Sequence, residues 1–309
     1  MIVKRTLSPR RVLSYTRVPM AWTVAWALAA TLLAVPLGAE RVAIPFAPVG
    51  ALGAALAIFV AFRNNTAFTR WNEARSAWQA VLIVCRSIGR QVVAATDNAV
   101  HAGAVSQEVA DRVARDVVGR LVGFAHALAR QVRPHPDAPP VVPHVSAAEW
   151  ATADAAANPA HQLLVNQSVA LKAAIRDGAL GQFDPISLEP QLAALGVAQG
   201  TLERLAGTPT PRQYDYFTRI FVLAYAALVP LGLLSLLPDS LWLVLPLSVV
   251  LAGVFVVMAV VGAANDEPMT GAVTDVPVHA VCREIERDAA DALRLDRPPA
   301  LQPVDGYLW

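Results

Sequence analysis

A chain of 309 residues can hold a sizeable core or two modest domains, but 55% of it is hydrophobic and its mean hydropathy is +0.45, above the roughly 45 to 50% apolar content of ordinary soluble domains. Part of the protein is therefore expected in lipid. The formal net charge of +1, with arginines dispersed along the chain, excludes the basic footprint of a nucleic-acid binder.

Four uncharged segments read in chain order as membrane spans: Val18 to Leu37, Val42 to Phe62, Ile220 to Leu237 and Leu241 to Ala264. Each approaches the ~20 residues a helix needs to cross a bilayer core. The first exceeds the h-region of a cleavable signal peptide and is expected to be retained. The connectors Gly38 to Arg41 and Pro238 to Ser240 are short enough to make each pair of spans an antiparallel hairpin. Basic residues flank the other span ends: Lys4, Arg5, Arg10, Arg11 and Arg17 before the first, Arg63, Arg70 and Arg75 after the second, Arg204, Arg212 and Arg219 before the third. Arginine and lysine near span ends stay in the cytoplasm, so both termini and the long middle segment are expected there.

The organisation is thus an all-α membrane protein in five parts: a cytoplasmic N-terminal segment (1–17), a transmembrane hairpin (18–65), a helical cytoplasmic domain (66–219), a second hairpin (220–264) and a C-terminal helix with an extended tail (265–309). Within the middle segment one long helix continues from span two through Trp71, Trp78, Val81, Leu82, Cys85 and Ile88. Others are expected over Ser106 to Val132, ending before the Pro-rich Pro134 to Pro143, from the cap Asn158-Pro159 to Asp177-Gly178, and over Ser187 to Ala206. Thr274-Asp275-Val276-Pro277 reads as the start of a last helix.

Catalytic and metal chemistry find no support in the pattern. The six histidines, His101, His126, His135, His144, His161 and His279, are scattered and read as surface residues, and neither HExxH, a phosphate-cradling glycine loop nor GxSxG occurs. Cys85 and Cys282 stand without a ligand partner at metal spacing and read as small buried residues. No enzyme, cofactor or metal site is therefore expected. Lys4 and Lys172 are the only lysines among 25 basic residues, which with the abundant alanine points to a GC-rich bacterial gene and an inner-membrane location.

The junction Phe62-Arg63-Asn64-Asn65-Thr66-Ala67-Phe68-Thr69-Arg70-Trp71-Asn72-Glu73-Ala74-Arg75 resembles the signature of bacterial bestrophins. Two further stretches extend the resemblance, Glu203-Arg204-Leu205-Ala206-Gly207-Thr208-Pro209-Thr210-Pro211 before span three and Asp275-Val276-Pro277-Val278-His279-Ala280-Val281-Cys282-Arg283-Glu284-Ile285-Glu286-Arg287 after span four. The resemblance implies a homopentameric ion channel with its second spans around a central pore, passing small inorganic ions passively, chloride or other anions by family habit. It places the apolar neck on Ala54, Ile58 and Phe62, the vestibule below it on Arg63, Asn64 and Asn65, and a cytosolic exit constriction at Thr210. Arg70, Trp71, Pro209 and Pro211 become structural members of the motifs.

Read from the residues alone, Gly50, Gly53, Ala54, Ala57 and Ala61 are a small-residue stripe for close helix packing, and Arg63 to Asn65 can equally satisfy lipid headgroups. Within a channel, Arg63 either lines or braces the vestibule. Ile58 at a position where many animal members carry Phe weakens the aromatic-edge argument for anions, so a monovalent cation channel stays open as the alternative. An ion-coupled transporter or a non-conducting membrane scaffold is the second. Animal members bind calcium through an acidic run after span four; Asn265, Asp266, Glu267 and Asp275 offer too few oxygens for its six to eight ligands and read as helix capping and surface charge.

Overall fold

The computed structural model describes residues 1–3, 9–133 and 145–308, residues 9–15 by their backbone alone. Ten helices follow in chain order among them: α1 (Pro9–Leu37), α2 (Ala39–Val42), α3 (Phe46–His101), α4 (Gln107–Val132), α5 (Ala147–Asp154), α6 (Pro159–Arg176), α7 (Asp184–Gly207), α8 (Arg212–Leu236), α9 (Leu241–Asp266) and α10 (Val278–Ala292). They fall into two compact units, residues 4–71 with 209–267 and residues 1–3 with 72–208 and 268–309. The Pro-rich segment 134–143, His135, His144, Lys4 and Arg5 lie outside the described residues.

The first unit carries four helices long and apolar enough to cross a membrane, on Thr16–Leu37, α3, α8 and α9. The chain is a membrane protein, and in lipid its backbone polar groups must be satisfied internally. Gly38 at φ +83° turns α1 into the short α2, so the first hairpin tip is itself partly helical. Around Pro230 in α8, two carbonyls accept tertiary donors: the Trp26 indole N–H donates to Ala227 at 2.8 Å and the Ile44 amide donates to Leu231 at 3.2 Å.

The core of this unit joins Ala34, Val49, Leu56, Val60, Val222, Tyr225, Val229, Leu233, Val244 and Val256. The buried stripe of α3 runs Val49, Gly53, Leu56, Val60, alternating steps of four and three as one helix face requires. Gly53 is there because Tyr225 presses on it; a Cβ would come within 2.8 Å of the ring. Tyr225 in turn meets Phe255 edge to face, centroids 4.9 Å apart. Small residues permit such close approach where lipid supplies no hydrophobic drive.

The second unit is built around α4, which packs on α6, α7 and α10. Gly123 to Ala129 are all buried, so these two turns of α4 have no solvent side. That overturns the surface reading of His126. It is buried, its Nε2 lies 2.5 Å from Glu286 Oε1 on α10, and Arg283 holds the other carboxylate oxygen at 2.8 Å.

The cap expected at Asn158 forms, its side chain accepting the His161 amide, and Ser106, expected only as the start of a helix, caps α4 by accepting the Val109 amide. Helix α5, unheralded by a long periodic run, starts at an equivalent Ser146 cap on the Glu149 amide. Helix α7 begins three residues before the expected Ser187, because Pro185 suits a first-turn position whose N–H needs no partner.

Asp275 corrects another expectation. It neither caps α10, which follows Pro277, nor faces solvent; it is buried and accepts the Gly271 and Ala272 amides at 2.7 and 3.1 Å. Burial pushes its carboxyl above the usual range, against those hydrogen bonds and the nearby Arg133 charge. Cys85 and Cys282 are both buried and reduced; burial lifts the Cys85 thiol to about 12 and raises that of Cys282.

Glu203 is the polar hub of this unit. Its Oε1 accepts the amides of Gln131, Asn158 and Gln199 at 2.9, 2.8 and 2.7 Å, tying α4, the α6 cap and α7 together, while the adjacent Arg204 pairs with Glu73 of α3. Glu203→Ala removes the shared acceptor of three amides, of which that of Gln199 is buried, and is expected to destabilise the protein by about 1 to 3 kcal/mol, visible as a lowered thermal midpoint; an unchanged midpoint removes Glu203 from that role. A raised folded-state pKa at Asp275 means its contribution to stability is full below the unfolded pKa and lost as pH rises through the folded value. Asp275→Asn keeps an acceptor for both amides and is expected to flatten that dependence and leave the midpoint at pH 7 equal or higher, as thermal unfolding across pH 4 to 7 would read.

Candidate functional site

The face of α3 opposite its buried stripe is uncovered by its own chain. Ile58 and Phe62 are 61% and 70% exposed, and Ala54 is exposed as well. Their i, i+4, i+8 spacing sets them along one line. Ala51, Ala55, Ala57 and Ala61 fill the rest of that surface, so it is smooth, narrow-shouldered and uncharged.

Beyond Phe62 the same line turns polar at Asn65, Thr66 and Thr69, all exposed. The threonine hydroxyls donate back to the Phe62 and Asn65 carbonyls at 3.1 and 2.9 Å. Asn65 therefore presents the free amide donor of this stretch.

Arg63 and Asn64 point the other way. Arg63 takes the next place in the buried stripe, between Val60 and Ala67, and its side chain is 8% exposed. Its Nη2 donates to Asp215 Oδ1 at 2.5 Å and its Nη1 to the Ala259 carbonyl at 3.2 Å. The second Asp215 oxygen takes Arg219 at 3.0 Å, so one carboxylate on α8 serves two guanidiniums. Charge-assisted bonds of this kind are roughly twice as strong as neutral ones.

Asn64 Nδ2 donates to the Met258 carbonyl at 3.1 Å. Its Oδ1 faces Gly262, where a Cβ would sit 1.9 Å from that oxygen and 2.5 Å from Arg63 Nη1. Of the three residues expected at the vestibule, two thus fasten α3 to α8 and α9 and only Asn65 lies on the exposed line.

The fastening continues at Arg70, whose Nε donates to the Asp266 carbonyl at 2.9 Å. Trp71 stacks on Phe68 of its own helix, ring centroids 6.3 Å apart. Thr210, placed by resemblance at the cytosolic exit, belongs to this unit. Its hydroxyl donates to Asp266, and it shares with Phe59, Phe62, Arg63, Tyr214 and Asp215 the lining of a cavity of about 330 Å³. Pro211 immediately precedes α8 and sets its start. Glu267 pairs with Arg212 at 3.1 Å. No cluster of three or more metal-ligating side chains occurs among the described residues.

Asp215 and Gly262 were not singled out from sequence, and Asp266, read there as capping or surface charge, instead receives Thr210 on its carboxylate and Arg70 on its carbonyl. One signal for Asp215 was available: an acid directly before span three, at the same membrane boundary as Arg63 directly after span two.

A sequence profile described as "Bacterial/Fungal Bestrophin protein" matches residues 7–291. The chain is 26% identical over 242 residues to the voltage-dependent anion channel-forming protein YneE of Escherichia coli K12, covering 78% of this chain and 75% of that one. It is 26% identical over 265 residues to the voltage-dependent anion channel-forming protein mll4386 of Mesorhizobium japonicum, covering 85% and 79%. The fold matches the crystal structure of a bacterial bestrophin homolog from Klebsiella pneumoniae with a TM-score of 0.78 at 24% identity, over 90% of this chain and 98% of that one.

Gly262→Ala is expected to force Asn64 and Arg63 out of place. The displaced, partly buried guanidinium costs about 3 kcal/mol or more, read as a lowered thermal midpoint in detergent. Wild-type stability in that variant would show that the Arg63 and Asn64 contacts do not hold α9.

Proposed function

This chain belongs to the bacterial and fungal bestrophin family, and from that premise we propose that it is an anion channel of the bacterial inner membrane, a homopentamer whose α3 helices surround the pore. One observation carries the reading: the line Ala54, Ile58, Phe62 is left bare by a helix whose opposite face is fully used. Five copies of that line make an apolar neck. The alanines beside it allow the helices to close on one another. A narrow hydrophobic ring cannot replace an ion's water shell and gates by dewetting.

Two features make this reading preferable to a lipid-facing stripe. The line passes without interruption into Asn65, Thr66 and Thr69, a progression that suits a widening wet vestibule. Arg63, where a channel would carry charge, is withdrawn behind the stripe and matched by Asp215. The neck is then neutral and its selectivity rests on hydration and on dipoles such as the Asn65 amide. Anion conduction is drawn from the relatives' names; a monovalent cation preference is the competing reading for the same neck.

The basic residues flanking the spans put both termini and the second unit in the cytoplasm. An ion-coupled transporter is disfavoured because the apolar part of each span lacks an ionisable group of the kind that marks a midplane substrate site.

Purified protein in liposomes is expected to carry passive current whose reversal potential under a KCl gradient follows chloride; reversal toward potassium would give the cation reading, and absence of current would end the channel reading. Ile58→Ala is expected to raise conductance or open probability severalfold in single-channel recordings. Unchanged current would take Ile58 out of the gate.

A further inference from the structure

Helix α10 ends in a Schellman motif: the Leu295 amide donates to Ala290 at 2.8 Å and the Arg294 amide to Asp291 at 3.2 Å. The position between helix and exit needs a left-handed residue, ordinarily glycine. Here it is Arg294, at φ 55°, a backbone conformation that is strained for an L-residue. A strained side chain persists where the surroundings require it.

Arg294 stands over a groove between α3, α4 and α10, lining two cavities of about 490 and 420 Å³ that share Val93 and Asp97. The floor of the larger is apolar, with Leu82, Val118 and Ile285 among its residues. Its rim charges are unevenly matched. Arg86 is held by Asp288 and Glu284, each at 2.7 Å, and Asp291 is held by Arg297 at 2.6 and 2.8 Å. Arg90 and Arg294 also line the groove, and among the described residues no carboxylate pairs with either. Asp97, 3.8 Å from His101 Nδ1, lines both cavities and Asp111 and Arg115 line the smaller one, so the rim as a whole is balanced in charge, and Arg90 and Arg294 are the guanidiniums of the larger cavity that no carboxylate holds.

We propose that this groove binds a free medium-chain fatty carboxylate, with its acyl chain along the apolar floor and its carboxylate between Arg90 and Arg294. An apolar trough with a few convergent polar groups is the usual form of a small-ligand site, and its volume lies within the ordinary range. Guanidiniums match a carboxylate in shape as well as charge. A free acid is the source rather than a bilayer lipid, because every residue lining the groove lies outside the four uncharged apolar runs of the sequence.

The test is a titration of decanoate, 13C-labelled at the carboxyl, against the protein in lipid nanodiscs, with empty nanodiscs alongside. A saturable bound resonance is expected only where protein is present. Arg90→Ala with Arg294→Gly is expected to weaken binding at least tenfold, while Arg294→Gly alone raises the thermal midpoint by relieving the left-handed strain. A purely structural Arg294 would lower it. Asp97→Asn is expected to tighten binding. Gly89→Leu, whose Cβ is accommodated 3.8 Å from Val118 and whose longer side chain enters the groove, is expected to abolish binding in a folded protein. The same resonance from empty nanodiscs, affinity indifferent to these changes, or absence of saturable binding would each overturn the proposal, the last also being the result if a second copy of the chain covers the groove.

Discussion

The Arg63 guanidinium, turned inward at the edge of the apolar span, is the constraint around which the membrane unit is arranged. A cation there cannot be left bare in a low-dielectric setting, and the effective penalty for an unpaired buried ion is several kcal/mol. Asp215 answers it from α8 and the Ala259 carbonyl from α9. One side chain therefore fixes the relative positions of three helices at the depth where the chain leaves lipid. Gly262 follows from it, because no side chain fits between α9 and the pair Arg63 and Asn64.

This inward turn also determines what the opposite face of α3 can be. A helix has about one residue in three or four per face, so an arginine committed to the buried stripe cannot also face the line of Ala54, Ile58 and Phe62. The exposed line is consequently free of charge along its apolar length, and its first polar group is the Asn65 amide. If five copies enclose a pore, the permeating ion meets hydrocarbon first and dipoles next, while the full charges stand one layer back in matched pairs.

The second unit is held by a different logic, with polar groups buried among helices outside the apolar spans. Glu203 gathers three amides, Asp275 closes a tight turn, and Glu286 bridges His126 and Arg283. Asp275 and Glu286 are carboxylates taken from water and met by several donors, the condition under which a buried charge is tolerated, while Glu203 is only partly covered. The bestrophin motif around Glu203-Arg204 thereby acquires a physical meaning: its acid organises the unit's interior and its base reaches Glu73 on α3.

The sequence by itself determined the four apolar spans, the continuation of α3 beyond its apolar run, the cap at Asn158, and the family. These are read from local runs: uninterrupted apolarity, helical period, a capping side chain before a proline. It also marked Ala54, Ile58 and Phe62 as one line. Tertiary structure decided what depends on partners distant in the chain. Arg63 and Asn64 face α8 and α9 because Asp215, Ala259 and Met258 await them there; Thr210 is bound to Asp266; His126 is buried because Glu286 of α10 meets it in the interior of the unit. No local pattern encodes such choices, since the sign and depth of a polar side chain's partner are fixed only when separate helices come together, 152 residues apart for Arg63 and Asp215 and 56 for Thr210 and Asp266.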